Sequence, residues 1–294
     1  MSTFGIPRSE YKRRMAALVR MALSEDIGTG DKTTRALRLG DRREAAFIVA
    51  KSDGILAGQE VVTATFRALD PRTVITWSVR EGSPLRPGLK VAKIHARATA
   101  ILTGERTALN FLSRLSGVAT TTRKFVDAIG VSNTRLLDTR KTTPGWRLLE
   151  KAAARTGGAA THRIGLFDAL MIKSNHVAAV GDFRETVSRV MSGRGNRPVI
   201  CEVRNESEIE DALLEGVPWL LLDHFTPERL QRAIRMIRSW DQRRRQKRKT
   251  VIEVSGNVTL RNIRTLARCG PDYISSGAIT HSAPAVDFSL RWNE

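Results

Sequence analysis

The sequence predicts an α/β chain in two parts, a small mixed α/β domain followed by a barrel of repeated β-α units. Two observations carry this prediction. Six short apolar runs, at 135–138, 169–172, 198–203, 219–222, 251–254 and 272–275, fill the second half with helical patterns between them. Their recurrence, at roughly 20 to 35 residues, is the period of β-α repeats. The runs also finish in charged, hydroxyl or glycine residues: Asp138 to Lys141, Lys173, Glu202, Asp223, Ser255-Gly256 and Ser276-Gly277. A parallel barrel gathers its strand ends at one mouth, where such folds carry their chemistry.

The elements follow in chain order. Residues 9–23 read as a helix, and 24–31 as a turn-rich acidic segment. Short runs at 46–49 and 74–79, separated by glycines and prolines, read as antiparallel strands of the first domain. From 105 to 129 the pattern turns helical, with Leu109, Leu112, Leu115 and Val118 forming an apolar stripe. This helix hands the chain over to the barrel, so the expected domains are 1–114 and 115–282, with 283–294 returning to the first. Another helix is expected over 228–240.

Length and composition agree with two domains. A chain of 294 residues accommodates a barrel of roughly 200 to 250 residues and a companion. Hydrophobic residues make up 41% and charged residues 27%, within the globular range, and no stretch approaches the roughly 20 apolar residues of a membrane helix. The first residues, MSTFGIPRSEYKRRM, lack an apolar core followed by small residues, so the expected location is the cytoplasm. Cys201 and Cys269 have neither metal-ligand nor CxxC spacing and are expected to be buried free thiols.

The formal net charge of +19 has two physical readings, polyanion binding through phosphate contacts or attraction of small anionic substrates. Composition alone does not choose between them. Part of the excess is the basic run 243–249, which reads as a solvated helix end placed favourably against the helix dipole. Aromatic residues are only 5% of the chain and none interleaves with the run, whereas single-strand nucleic-acid binders need stacking platforms. No nucleic-acid partner is expected.

The strand-end residues suggest a specific chemistry. Arg140, Lys141, His162, Arg163 and Lys173 would repel one another in one pocket unless a multiply charged anion neutralised them. Arginine forks match carboxylates bidentately, and lysine serves phosphates as a point charge. Glu202 and Asp223 suit a Mg²⁺ ion held mostly through water and substrate phosphates, or each pairs with a neighbouring cation. Ser255-Gly256-Asn257 and Ser276-Gly277-Ala278, after the last two strands, read as a phosphate cradle or as plain tight turns.

The segments EDIGTGDKTT (25–34), ERTALNFLSRLSGVAT (105–120), LLDTRKTTPGWRLLEKAAARTGG (136–158), HRIGLFDALMIKSNH (162–176), IEVSGNVT (252–259) and SSGAITHS (275–282) resemble the quinolinate phosphoribosyltransferases. DTRKTTPG is the most specific of them. The resemblance implies an N-terminal α/β sandwich joined to an incomplete, seven-stranded α/β barrel of the type II phosphoribosyltransferase kind. It implies conversion of quinolinate and phosphoribosyl pyrophosphate to nicotinate mononucleotide, CO2 and pyrophosphate in de novo NAD synthesis, with Mg²⁺ and no organic cofactor. Arg140, His162, Arg163 and Lys173 match positions that bind the dicarboxylate, with Thr139 in the same strand-end segment. Arg106 would enter the partner subunit's pocket, making a homodimer the minimal active unit. Glu202 and Asp223 would serve ribose hydroxyls and metal, the two glycine turns the 5′-phosphate, and Lys141 the decarboxylation step.

The chain departs from the family pattern at Thr161, Ser174, Ile200, Arg204 and His224. Several of these remove negative or add positive charge. Two alternatives therefore stay open: an enzyme using another pyridine or aromatic acid, and a weakened homologue binding nucleic acid through its basic surface.

Overall fold

The computed structural model describes residues 6–244 and 249–292. It divides into two compact units, Met1–Arg123 with Thr142–Gly158 and Ile279–Glu294, and Lys124–Lys141 with Ala159–Ala278. Of the basic run expected to cap a helix, 245–248 lie outside the described residues.

The chain begins with α1 (Arg8–Ile27), α2 (Lys32–Ala36), β1 (Arg43–Ala50), β2 (Gly54–Ile55), α3 (Gln59–Leu69), β3 (Val74–Trp77), β4 (Pro84–Leu85), β5 (Lys90–Arg97) and α4 (Ala98–Ile129). It continues through β6 (Arg135–Leu137), α5 (Arg147–Thr156), β7 (Leu170–Ile172), α6 (Ser174–Val180), α7 (Phe183–Gly193), β8 (Val199–Val203) and α8 (Glu206–Leu214). The last elements are β9 (Trp219–Asp223), α9 (Pro227–Arg243), β10 (Val251–Ser255), α10 (Ile263–Arg268), β11 (Tyr273–Ser275), α11 (Ala278–His281) and β12 (Phe288–Trp292). The expected helices are all present, each longer than its apolar pattern. The extra turns of α1 and α9 carry mostly polar residues, whereas those at the start of α4 include Ala98, Ala100 and Ile101 of the buried core.

In the first unit, an antiparallel sheet of order β12-β1-β5-β3 forms because alternating residues bury one face. Ala46, Ile48 and Ala50 of β1 and Ala92, Ile94 and Ala96 of β5 join Val62 and Phe66 of α3 and Ile101, Ala108 and Leu112 of α4 in one core. The C-terminal strand β12 pairs along β1 from Ala46↔Trp292 to Ala50↔Phe288. Within this unit α4 runs tightly against the segment before β12: a Cβ on Gly117 would lie 2.1 Å from the Pro284 carbonyl oxygen. Only glycine fits there.

The second unit is an incomplete α/β barrel, a parallel sheet of order β6-β11-β10-β9-β8-β7. Its six strands correspond to the six apolar runs. In place of a seventh strand, Ala160 makes a single parallel bridge to Leu137. The connecting helices start where sequence supplies a cap: Asp182 for α7, Asn205 for α8, and Thr226 followed by Pro227 for α9. The register Glu202↔Leu221↔Glu253↔Tyr273 puts these residues on one face of the sheet. With period two, Asp223, Ser255 and Ser275 share that face one step nearer the strand ends.

The expectation for the cysteines holds only in part. Cys201 is buried, but Cys269 is only partly so, because it follows the last residue of the short α10 as its cap. Burial pushes the Cys201 thiol up to about 12, so it is inert at neutral pH. No helix among the described residues is long and apolar enough to cross a membrane.

Candidate active site

The barrel unit carries all the expected site residues except Arg106, which is exposed on α4 of the first unit. Thr139, Arg140 and Lys141 follow β6. The Lys141 N–H donates to Thr139 Oγ1 at 3.0 Å, folding the segment into a local turn. Lys141 itself is exposed, and Arg140 half-buried.

His162 and Arg163 follow the Ala160 bridge. The His162 N–H donates to Oδ1 of the buried Asp138 at 2.8 Å, and its Nδ1 accepts the Arg163 N–H at 2.7 Å. The loop then closes on Asp168, whose two oxygens accept the N–H groups of Ile164 and Gly165. Arg163 is held below the usual arginine range, first by burial and then by repulsion from Arg140, against the attraction of Asp168 and Glu253. Two guanidinium groups are thus brought near one another. That is a site prepared for an anion.

The second group surrounds the ends of β7, β8 and β9. Lys173 Nζ lies 3.3 Å from Glu202 Oε2, and the Ser174 N–H donates to Glu202 Oε1 at 3.3 Å. Lys173, expected with the acid-binding cations, therefore meets a carboxylate. Burial and the neighbouring Glu202 raise the Asp223 carboxyl above its ordinary range, opposed by His224, Lys173 and Lys141. A carboxylate pair of this kind, with water access, suits a hard divalent cation completed by water and substrate oxygens. Among the described residues no cluster of three or more His, Cys, Asp and Glu side chains is arranged for a metal, so such an ion would depend on substrate for much of its shell.

The glycine turns follow β10 and β11. Gly256 has φ +91° and Asn257 φ +49°, two left-handed residues in succession, a conformation that glycine adopts without strain. A Cβ on Gly256 would lie 2.8 Å from both the backbone nitrogen and the ring of His224. His224 itself has φ +58° and donates its N–H to the Ser255 carbonyl. At the second turn, Ser276 Oγ accepts the Ala278 N–H and donates to the Val258 carbonyl. The two turns are thereby tied together, with Gly277 between the tied residues.

Two of the remaining departures have local accounts. Ile200 packs with Ala169 and Leu221 inside the barrel, and Arg204 pairs with Glu208 four residues on. For Thr161 the structure gives no account. Sequence reasoning missed Glu253, which accepts hydrogen bonds from His162 and Trp219. The signal was available as a glutamate inside an apolar run that forms an interior strand.

Comparison with known proteins agrees with this fold. The family model described as quinolinate phosphoribosyl transferase, C-terminal domain, matches residues 118–291, and that of the N-terminal domain matches 31–116. A probable nicotinate-nucleotide pyrophosphorylase [carboxylating] of Synechocystis sp. is 40% identical over 273 residues, 92% of this chain and 89% of that protein. Quinolinate phosphoribosyltransferase [decarboxylating] 1b of Nicotiana tabacum is 35% identical over 94% of this chain and 82% of its own. The solved nicotinate-nucleotide pyrophosphorylase of Francisella tularensis superposes with a TM-score of 0.87 at 36% identity, covering 100% of this chain and 99% of that one. Fold, strand-end chemistry and both domain matches lead to one assignment: the chain belongs to the quinolinate phosphoribosyl transferase family.

Proposed function

We propose that the protein transfers the phosphoribosyl group of phosphoribosyl pyrophosphate to quinolinate, with loss of CO2, giving nicotinate mononucleotide and pyrophosphate in NAD biosynthesis. The observation that carries this reading is the Arg140–Arg163 pair, in which burial and the neighbouring Arg140 hold Arg163 below the usual arginine range, in a barrel unit that also carries strand-end carboxylates and a left-handed glycine turn. A dianionic planar acid suits the first, and a ribose phosphate suits the others. The names of the relatives point to the same reaction.

Arg140 and Arg163, with Thr139 and His162 in the same strand-end loops, orient the diacid so that its ring nitrogen faces the anomeric carbon of the sugar. Ser255, Gly256 and Asn257 with Ser276, Gly277 and Ala278 hold the 5′-phosphate through N–H groups and hydroxyls. As the nitrogen–carbon bond forms, the bond to pyrophosphate breaks and positive charge builds on the ribose ring. Glu202 and Asp223 stabilise that charge and hold the ribose hydroxyls. Glu202 and Asp223 would also hold Mg²⁺, which would supply charge neutralisation for pyrophosphate. The product of transfer is a pyridinium, so the bond from the adjacent carbon to its carboxylate breaks, CO2 leaves, and the electron pair remains on the ring carbon. Lys141 stabilises or protonates that carbon. Arg106 reaches the site of a second copy, so the active unit is a homodimer. The protein works in the cytoplasm, with no organic cofactor.

The test is a coupled assay with phosphoribosyl pyrophosphate, Mg²⁺ and either quinolinate or nicotinate, following nicotinate mononucleotide and CO2. Product and CO2 from quinolinate alone are expected. Turnover of nicotinate, or of neither acid by folded dimeric protein, would overturn the assignment of substrate.

A further inference from the structure

Glu253 is fully buried in the middle of β10, on the face that carries Glu202, Leu221 and Asp223. Its Oε2 lies 3.2 Å from His162 Nε2 and 3.0 Å from Trp219 Nε1, while no hydrogen-bond partner reaches Oε1 among the described residues. The indole stands 5.7 Å from the His162 ring and stacks on Tyr273 at 5.3 Å and 17°. The imidazole is thus walled on one side and bonded on two.

The proton positions follow from the partners. A peptide N–H can only donate, so the Arg163 N–H fixes His162 Nδ1 as an acceptor. The ring hydrogen is therefore on Nε2, and Glu253 Oε2 accepts it. Asp138 holds the peptide of the same residue. Side chain, ring and backbone of His162 are each tied to the barrel, and the next residue carries the Arg163 guanidinium.

We infer that Glu253 is a positioning residue: through His162 it sets the His162-Arg163 turn, and with it the arginine fork that takes the acid substrate. This deepens the proposed function and rests on its assignment of the arginines to the diacid. A glutamine would accept the same two donors at a smaller desolvation cost. What the carboxylate adds is an acceptor that cannot flip and a negative charge, one of the two that offset the burial of Arg163 and its repulsion by Arg140. His162 accordingly offers neither ring nitrogen to a ligand. It supports the acid pocket from behind.

The experiment compares the full-length protein with its Glu253→Leu, Glu253→Gln and Trp219→Phe variants. KM is measured separately for quinolinate and phosphoribosyl pyrophosphate, and the His162 tautomer is read by 15N NMR on ligand-free protein. Losing a hydrogen bond to a charged group predicts a rise of roughly tenfold or more in quinolinate KM for Glu253→Leu. The pyrophosphate KM is expected to stay unchanged, with Glu253→Gln intermediate. Should the leucine variant not fold, the glutamine and phenylalanine variants carry the comparison. Equal changes in both KM values, or an unchanged quinolinate KM, would overturn the inference. The NMR arm is independent of turnover. A wild-type ring held as the Nε2–H tautomer and released in the variants supports the inference, and an Nδ1–H wild-type ring overturns it. Failure of wild-type protein to use quinolinate would instead remove the functional reading and leave the tautomer result standing.

Discussion

Replacing Arg114 by methionine should be among the most destabilising single changes outside the reacting groups. Arg114 on α4 donates through Nε and Nη2 to Glu150 Oε1 at 2.9 and 2.8 Å. Its other bonds reach the Thr280 and Ala283 carbonyls. Glu150 has no exposed side-chain surface and Arg114 only a quarter. Glu150 also receives the N–H and hydroxyl of Thr143, which pins the threonine-proline-glycine loop to the start of α5. Methionine keeps the aliphatic stem but strands a buried carboxylate, at a cost of about 3 to 5 kcal/mol. For a chain of this size that corresponds to a fall in Tm of roughly 6 to 20 °C in calorimetry. Adding Glu150→Met removes the stranded charge, and the exposed Thr143 is then hydrated. The double variant should recover about 2 kcal/mol or more of the loss. A single variant within about 1 kcal/mol of wild type, or a double variant no better than the single, would refute the argument that the buried charge dominates.

The pH dependence of Asp223 has a definite sign. Its folded pKa is raised, so ionisation costs stability fully above that raised value and not at all below the ordinary Asp range near about 3.9. Asp223→Asn should therefore melt at or above wild type at neutral pH, with the difference closing on acidification, while phosphoribosyl transfer is lost. Lys141→Ala should lower turnover by about 100-fold or more in a single-turnover assay following CO2; unchanged turnover would remove Lys141 from the chemical step. Gly256→Ala places a methyl group 2.8 Å from the His224 backbone nitrogen in a left-handed residue. It should raise the KM for phosphoribosyl pyrophosphate roughly tenfold and leave that for quinolinate unchanged, which steady-state kinetics with each substrate varied will check.

The strand ends were legible because a parallel barrel needs near-continuous apolar runs, and whatever interrupts such a run at its end lies at the mouth. Glu202, Asp223 and the two glycine turns were found in this way. Other features were not, for physical reasons. Glu253 interrupts a run in the middle, where a charge is expensive unless bonded, and its partners His162 and Trp219 are distant in sequence. Periodicity does not encode such pairings. The Ala160 bridge is a single residue and has no pattern of its own. Cys269 was placed by residue type, whereas its exposure follows from where α10 stops.

The structure also divides charges that the sequence lists together. The groups acting on Arg163 are Arg140, Asp168 and Glu253, whereas those acting on Asp223 are Glu202, His224, Lys173 and Lys141. These sets share no member. One is an arginine pair with an interior glutamate behind it, and the other a carboxylate pair answered by lysines and a histidine. Coulomb interactions in a partly hydrated site weaken steeply with distance and screening, so each set is tuned by its own neighbours. Arginine forks match a flat diacid by shape, whereas lysine meets phosphate as a point charge, so the two sets suit two different anions. The five departures from the family pattern divide unevenly between them. Ser174, Arg204 and His224 adjoin the Glu202–Asp223 set, Ile200 lines the barrel interior, and Thr161 alone directly precedes the His162-Arg163 turn. Their charge effects thus bear first on the Glu202–Asp223 pair rather than on the arginine pair.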